Sequence, residues 1–266
     1  MRLRTIAVAA VVGLIASIAP ATAAEAAKKP VYKVSIKIGK TSADVHQNVT
    51  VVGRVKGPKA AKKRLVVQRK VGAGKWTNVR KVRTNKVGRY ATKVKVATAG
   101  QQYLRVVAPK SKKARAGVSS RRGYVGWRWL DLTVQPSQTE GDGAVKGPAT
   151  IAGTTYPKAI TFQNTGTYFN TAGVCDIFKS TAGVVDGGTP SGTVLALMAS
   201  DYQLGSESDP RETSLELTAG QAPQPFRASL RDTRLFAFGS MNGRIAVVSP
   251  LAHCTVNALP TPSLGF

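Results

Sequence analysis

The sequence predicts an all-β protein built from two successive sandwich-like halves. Three observations carry that prediction. No stretch of useful length repeats apolar residues at the helical period, whereas short runs alternating apolar and polar residues recur throughout, separated by Gly-, Asn- and Lys-rich turns. Charge divides the chain: residues 28–122 hold 28 Lys/Arg and one acidic residue, Asp44, while residues 123–266 hold 9 Lys/Arg against 11 Asp/Glu. Composition changes with charge, from Val and Lys in the first half to Gly, Thr, Ala and Ser in the second. So abrupt a shift argues for two domains, 28–122 and 124–266, each long enough to bury a core of its own.

The chain opens with Arg2 and Arg4, an apolar run from Thr5 to Ala19, and small residues offering cuts after Ala23, Ala24 or Ala27. That is the layout of a signal peptide over residues 1–27, and the run is short for a bilayer span. An N-terminal membrane anchor is the alternative. The expectation is a secreted protein, retained at the cell wall if its charge finds a partner there, with no transmembrane segment once the leader is removed.

In the first half, "VYKVSIKIG" sets Val34, Ile36 and Ile38 on one face and Lys33, Ser35 and Lys37 on the other. "NVTVVGRVKG", "KRLVVQRKVG", "KWTNVRKVRT", "GRYATKVKV", "QQYLRVVAP" and "GVSSRRGYV" follow at short spacing. In the fifth of these seven segments Tyr90, Thr92, Val94 and Val96 share a face. Seven short strands with turn signals between them suggest an immunoglobulin-like sandwich. The segment "GWRWLDLTVQ" begins the second half, and Trp127 and Trp129 share a face if it is a strand.

The two cysteines, Cys175 and Cys254, admit three readings. In a secreted chain a disulfide is the default, closing a loop of 79 positions worth roughly 4 kcal/mol in the chain-entropy model. A nucleophile would need a base, and the adjacent His253 points to the other face of a strand. A metal would need more ligands than two Cys and the scattered His46 and His253 provide.

Catalytic signatures are missing: no G-x-S-x-G elbow, H-E-x-x-H helix, P-loop or EF-hand loop occurs. Neither histidine has an evident Ser or Asp partner in the sequence. Asp186, Asp201, Glu207 and Asp209 fall in Gly/Ser-rich turns, where Asp favours turn formation; a structural calcium or ligand role is the alternative. The expectation is no enzyme, no cofactor and no resident metal.

The basic half implies a polyanionic partner. Its densest runs are Lys59-Ala-Ala-Lys62-Lys63-Arg64 and Lys110-Ser-Lys112-Lys113-Ala-Arg115, both loop-like. Lys59, Lys62, Lys63, Arg64, Lys110, Lys112, Lys113 and Arg115 are therefore the candidate polyanion-binding residues. Tyr32, Trp76, Tyr90 and Tyr103 fall where core or edge packing would use them, so sequence-specific nucleic-acid readout is not expected.

Two resemblances add to this reading. Gly53, Gln68, Arg69, Trp76, Gly88, Tyr90, Tyr103 and Arg105 make residues 31–125 resemble the bacterial immunoglobulin-like modules of secreted actinobacterial proteins, which act as spacers or adhesive units. Residues 126–258 resemble the NPCBM family of carbohydrate-binding modules, which adopt a galactose-binding-domain-like jelly roll. The matching pieces are Trp129-Leu130-Asp131-Leu132, Gly153 with Tyr156, Phe178 with Gly183 and Asp186, Asp201 with Leu204 and Ser206, and Arg234 to Phe238. The chain departs from that family in carrying no enzyme domain beside the module and in reading Asp201-Tyr202 where the family has a D-G turn. The resemblance implies a jelly roll stapled across its sandwich by Cys175 and Cys254, and a carbohydrate site for which Tyr168, Asp186 and Tyr202 are the candidates. The implied function is a secreted binding protein whose basic module attaches to anionic cell-surface polymers and whose jelly roll binds carbohydrate. The alternatives are an accessory or inactive relative of a secreted glycosidase, or a structural wall protein with no small ligand.

Overall fold

A computed structural model describes residues 29–139, 143–201 and 210–262; the signal peptide expected over residues 1–27 lies outside them. Among the described residues, apart from one 3-10 turn (Leu132–Val134), the regular structure is β throughout. No helix among the described residues is long and apolar enough to cross a membrane.

The first half contributes β1 (Lys33–Val34), β2 (Lys37–Ile38), β3 (Ser42–Asp44), β4 (Asn48–Lys56), β5 (Arg64–Val71), β6 (Thr77–Arg83), β7 (Arg89–Lys95), β8 (Gly100–Ala108), β9 (Gly117–Val118) and β10 (Arg122–Asp131). β1, β2 and β7 pair with β4 in one sheet, and the order β10-β8-β5-β6 forms the facing layer. The alternation read from sequence is what makes this possible. On β4, Val49, Val51 and Val55 point in while Asn48, Thr50 and Arg54 point out. With Tyr32, Leu65, Val67, Tyr90, Leu104 and Tyr124 they form one core. The segment 31–39 is broken into β1 and β2 because Ser35 turns aside to bond Arg54 through both its amide and its hydroxyl.

The second half contributes β11 (Gln138–Thr139), β12 (Ala144–Ile151), β13 (Thr154–Gln163), β14 (Gly166–Asn170), β15 (Cys175–Val184), β16 (Ser191–Ala199), β17 (Arg211–Thr218), β18 (Gln224–Ser229), β19 (Leu235–Asn242) and β20 (Arg244–Cys254). The order β11-β14-β19-β16-β17 makes one layer; β12, β13, β20, β15 and β18 make the other. Between them Phe162, Phe169, Phe178, Phe226, Phe236 and Phe238 pack with ring centroids 4.8–6.0 Å apart. Edge-to-face and tilted pairs of this kind add to the area they bury.

β10 belongs to both halves. Arg122–Gly126 pairs with β8, Val125–Trp127 with β3, and Arg128–Asp131 with β20. The division expected between residues 122 and 124 falls inside this strand, and Tyr124 is buried in the first core with its hydroxyl on Gln102. One sheet thus runs unbroken through both halves.

Cys175 and Cys254 form a disulfide. They are directly opposed on the neighbouring strands β15 and β20. The staple therefore closes two strands of one layer instead of crossing the sandwich, because β20 runs beside β15 in the same sheet. Cys254→Ser should destabilise the second half by about 2–4 kcal/mol, read by denaturant unfolding, with the melting of the first half little changed. A thiol titration of the native protein should find no free cysteine.

Asp131 ends β10 and caps the 3-10 turn. Burial alone would raise its carboxyl, but hydrogen bonds from Lys158 and from the hydroxyl and amide of Thr133 outweigh it and hold Asp131 below its ordinary value. A depressed carboxylate contributes stability that is present above about pH 4 and lost as pH falls through its folded value. Lys158→Met should therefore move the acid-unfolding midpoint, followed by circular dichroism, to higher pH. The shift should be small, because Lys158 is 63% exposed and its charge is screened by solvent.

Candidate functional site

The two lysine-rich runs meet at one end of the first half, and Tyr32 is what joins them. Its ring is buried in the core. Its hydroxyl donates to the Pro58 carbonyl at 3.0 Å and lies 2.9 Å from the Ser111 hydroxyl. Pro58 belongs to the first loop and Ser111 to the second, so one phenol ties both. Lys63 Nζ sits 4.5 Å from the centre of the same ring.

Each loop is fixed at its backbone. Lys59 and Lys62 adopt left-handed conformations, with φ of 52° and 53°. The Lys62 amide donates to Asn85, and Thr84 receives the Lys63 amide while donating to Ala60. In the second loop the Ser111 hydroxyl accepts from the Ala114 and Lys113 amides, and Arg115 bonds back to Pro30 and Lys29. The cationic heads remain outside. Lys59, Lys62, Arg64, Lys110, Lys112, Lys113 and Arg115 are exposed and Lys63 is half-buried. Among the described residues none of the eight pairs with a carboxylate. The sequence singled out both runs; it gave no sign that Tyr32 would bring them together, because that contact spans 79 positions.

The candidate carbohydrate residues are placed apart. Tyr168 lies on β14, on the face of the five-stranded layer that points away from the main core, packed with Leu235 and Ala237. It borders a shallow hollow of about 230 Å³ shared with Leu195, Leu197 and Met241. Asp186 follows β15 in the opposite layer. Both its carboxylate oxygens accept amide hydrogens at 2.8 Å, from Ala152 and Gly153, and hold the β12–β13 turn. Tyr202, Glu207 and Asp209 lie outside the described residues.

His253 is where the structure departs most from the sequence reading. The sequence offered it no acid partner; the fold supplies two. Nδ1 lies 2.8 Å from an Asp176 oxygen and Nε2 3.0 Å from an Asp44 oxygen. The ring is stacked on Trp127 at 4.8 Å and tilted against Trp129 at 4.7 Å, while Lys179 Nζ sits 3.9 Å from the centre of the Trp129 ring. Strand geometry explains the ladder. Trp127 and Trp129 are two apart on β10 and so share a face, His253 is registered against Trp129, and Asp44 against Trp127. Asp44 comes from the basic half and Asp176 from the other, so the imidazole clasps the two together. Its exceptional position could have been suspected from Asp44 being the one acid among 28 bases.

With both ring nitrogens spent on carboxylates, His253 has no free nitrogen to take a proton from a nucleophile. A cleft of about 630 Å³ opens beside it, lined by Ser42, Gln47, Trp127 and Arg231 with the two acids. No group of three or more His, Cys, Asp or Glu among the described residues is arranged to hold a metal ion. No protein-family model matches the chain, and no curated protein matches it.

His253→Phe would keep an aromatic ring between the tryptophans but leave Asp44 and Asp176 facing it without a donor. That should cost about 1–2 kcal/mol in denaturant unfolding and loosen the two halves, read as a loss of common tumbling in NMR relaxation. Unchanged stability and tumbling would show that the shared strand alone holds them.

Proposed function

We propose that this is a secreted, non-catalytic binding protein. Its first half, an immunoglobulin-like module, attaches to an anionic cell-surface polymer; its second, a jelly roll of NPCBM type, presents a carbohydrate-binding face. One observation carries the first part: two cationic loops are tied into a single surface by Tyr32, and among the described residues no carboxylate pairs with them. Mixed charge would keep a sandwich soluble equally well, so solubility does not account for so one-sided a composition. The absence of exposed aromatic readers among the loop residues supports attraction to charge over recognition of bases. The non-catalytic part is supported by the occupied nitrogens of His253, and the carbohydrate part by the resemblance of residues 126–258.

Binding of a polyanion releases counterions, so log K should fall linearly with log salt, with a slope near −0.9 per phosphate on duplex DNA. About five contacts from the two loops would lower the affinity several hundredfold between 50 and 200 mM salt by that rule. Changing Lys62, Lys63, Lys112 and Lys113 to Glu together should make the slope for a long polymer clearly shallower and leave the fold intact, since the loops are held by backbone hydrogen bonds and only Lys63 gives up a contact, with the Tyr32 ring. An affinity independent of salt, or strong preference for one DNA sequence, would refute the charge account. For the second half, a glycan array read at high salt gives the answer: retained binding supports the sugar face, and none at any salt removes it.

A further inference from the structure

The two loops are not the only concentration of positive charge. A broad groove of about 1180 Å³ runs along the first half. Five cations line it: Lys37 on β2, Arg54 on β4, Arg83 on β6, Arg89 on β7 and Arg122 on β10. None of the described residues that line it is acidic. None of the five side-chain heads makes a hydrogen bond or ion pair among the described residues.

The strand register adds a second, independent observation. Arg54 and Arg89 are direct partners across the β4–β7 ladder, and Arg83 is paired in the same way with Arg64 across β5–β6. Like charges placed opposite one another on a sheet face are destabilising. Among the described residues no carboxylate pairs with any of these arginines. Local features that work against stability without a compensating contact gather at functional sites, and an external anion in the groove, seated between Arg54 and Arg89, would relieve the repulsion of that pair.

We infer that this groove is the polymer-selecting site of the protein, and that it takes an extended phosphodiester chain without bases, such as a polyol phosphate; the inference rests on the anionic-polymer reading above and names its site and substrate class. Four of the five cations are Arg, whose planar fork meets two phosphate oxygens at once, whereas lysine acts as a point charge. The five stand on β-strands, so the spacing of their backbones is set before a ligand arrives. The groove is open and larger than the usual 300–1,000 Å³ of an enclosed small-molecule pocket, which suits a length of chain. Single-stranded nucleic acid is held by stacking bases on aromatic side chains. The one aromatic residue lining this groove, Tyr90, is 4% exposed and spends its hydroxyl on the Ser35 carbonyl at 2.6 Å. Gly53 is required for that arrangement: a Cβ there would come within 2.5 Å of the Tyr90 hydroxyl oxygen. Sugar-phosphate backbones without bases need no platform. The loops then supply long-range attraction, and the arginines supply the fit.

The test uses the full chain and a synthetic glycerol phosphate hexamer, titrated by calorimetry over a salt series. The variant R54Q/R89Q should bind the hexamer at least tenfold more weakly. Its salt slope should be shallower by about 1.4, twice the value of about 0.7 per phosphate for flexible strands. Its melting temperature should equal or exceed that of the parent, because a like-charge pair has gone; R122Q alone gives an independent reading of the same groove. The loop variant K62E/K63E/K112E/K113E should keep the slope for the hexamer while weakening binding of long polymers. If R54Q/R89Q and R122Q bind the hexamer like the parent and the loop variant loses it, the groove assignment is wrong and the loops alone attach the protein. If no variant changes binding of hexamer or long polymer, the anionic-polymer reading falls with it. Oligothymidylate of equal phosphate number binding as tightly as the hexamer would overturn the choice of a base-free chain.

Discussion

Ten residues, Arg122–Asp131, hold this structure together. As β10 they are an interior strand of the first half's sheet at one end and a partner of β20 at the other. A strand shared in this way cannot be displaced from one half without breaking main-chain hydrogen bonds in the other, and each buried amide or carbonyl left without a partner is costly. The remaining contacts across the boundary follow from it. Trp127 and Trp129 take their common face from the pleat, and His253 reaches both because β20 is registered against β10. Asn257 adds a smaller link, accepting from the Thr98 hydroxyl and the Arg128 guanidinium.

That joint has a consequence for how charge is distributed. The one acid of the basic half, Asp44, is committed to the joint through His253. The rest of that half therefore meets solvent with no internal counter-charge, and its repulsion must be borne by the core. Tyr32, Tyr90 and Tyr124 help to bear it. Each buries a large ring and still places its hydroxyl on a partner: Pro58 and Ser111, Ser35, and Gln102. Burial pushes the hydroxyls of Tyr90 and Tyr124 above the ordinary tyrosine value. Two further aromatic faces are covered by the protein's own cations, Trp76 by Arg105 and Tyr103 by Arg121. The basic surface is thus anchored from beneath by phenols and left free on its outer side.

The second half is stabilised differently. It has a larger aromatic core, a disulfide within one layer and near-neutral charge. Asp186, which the sequence offered as a ligand contact, holds a turn. The geometry at Ala152 and Gly153, both with positive φ, presents two amides in one direction, and a carboxylate is the natural acceptor for them.

Much of the architecture was legible in the sequence, because a two-residue period needs only local residues to be seen. The alternation of Val49, Val51 and Val55, or of Tyr90, Val94 and Val96, fixes which face is buried whatever the strand's neighbours. Charge is likewise additive along a chain, so the basic half and its two dense runs could be read directly. Partners could not. Which strand lies beside which is decided by loop closure and packing over long separations, and the contacts that define the site span them: Tyr32 to Ser111, Asp44 to His253, Arg54 to Arg89. The same limit misplaced the disulfide, whose two cysteines were evident but whose neighbouring strands were not. The sequence determined the faces, the charge and the pair of thiols; the tertiary structure alone decided what those faces meet, since strand pairing is set by main-chain hydrogen bonds that every residue offers alike.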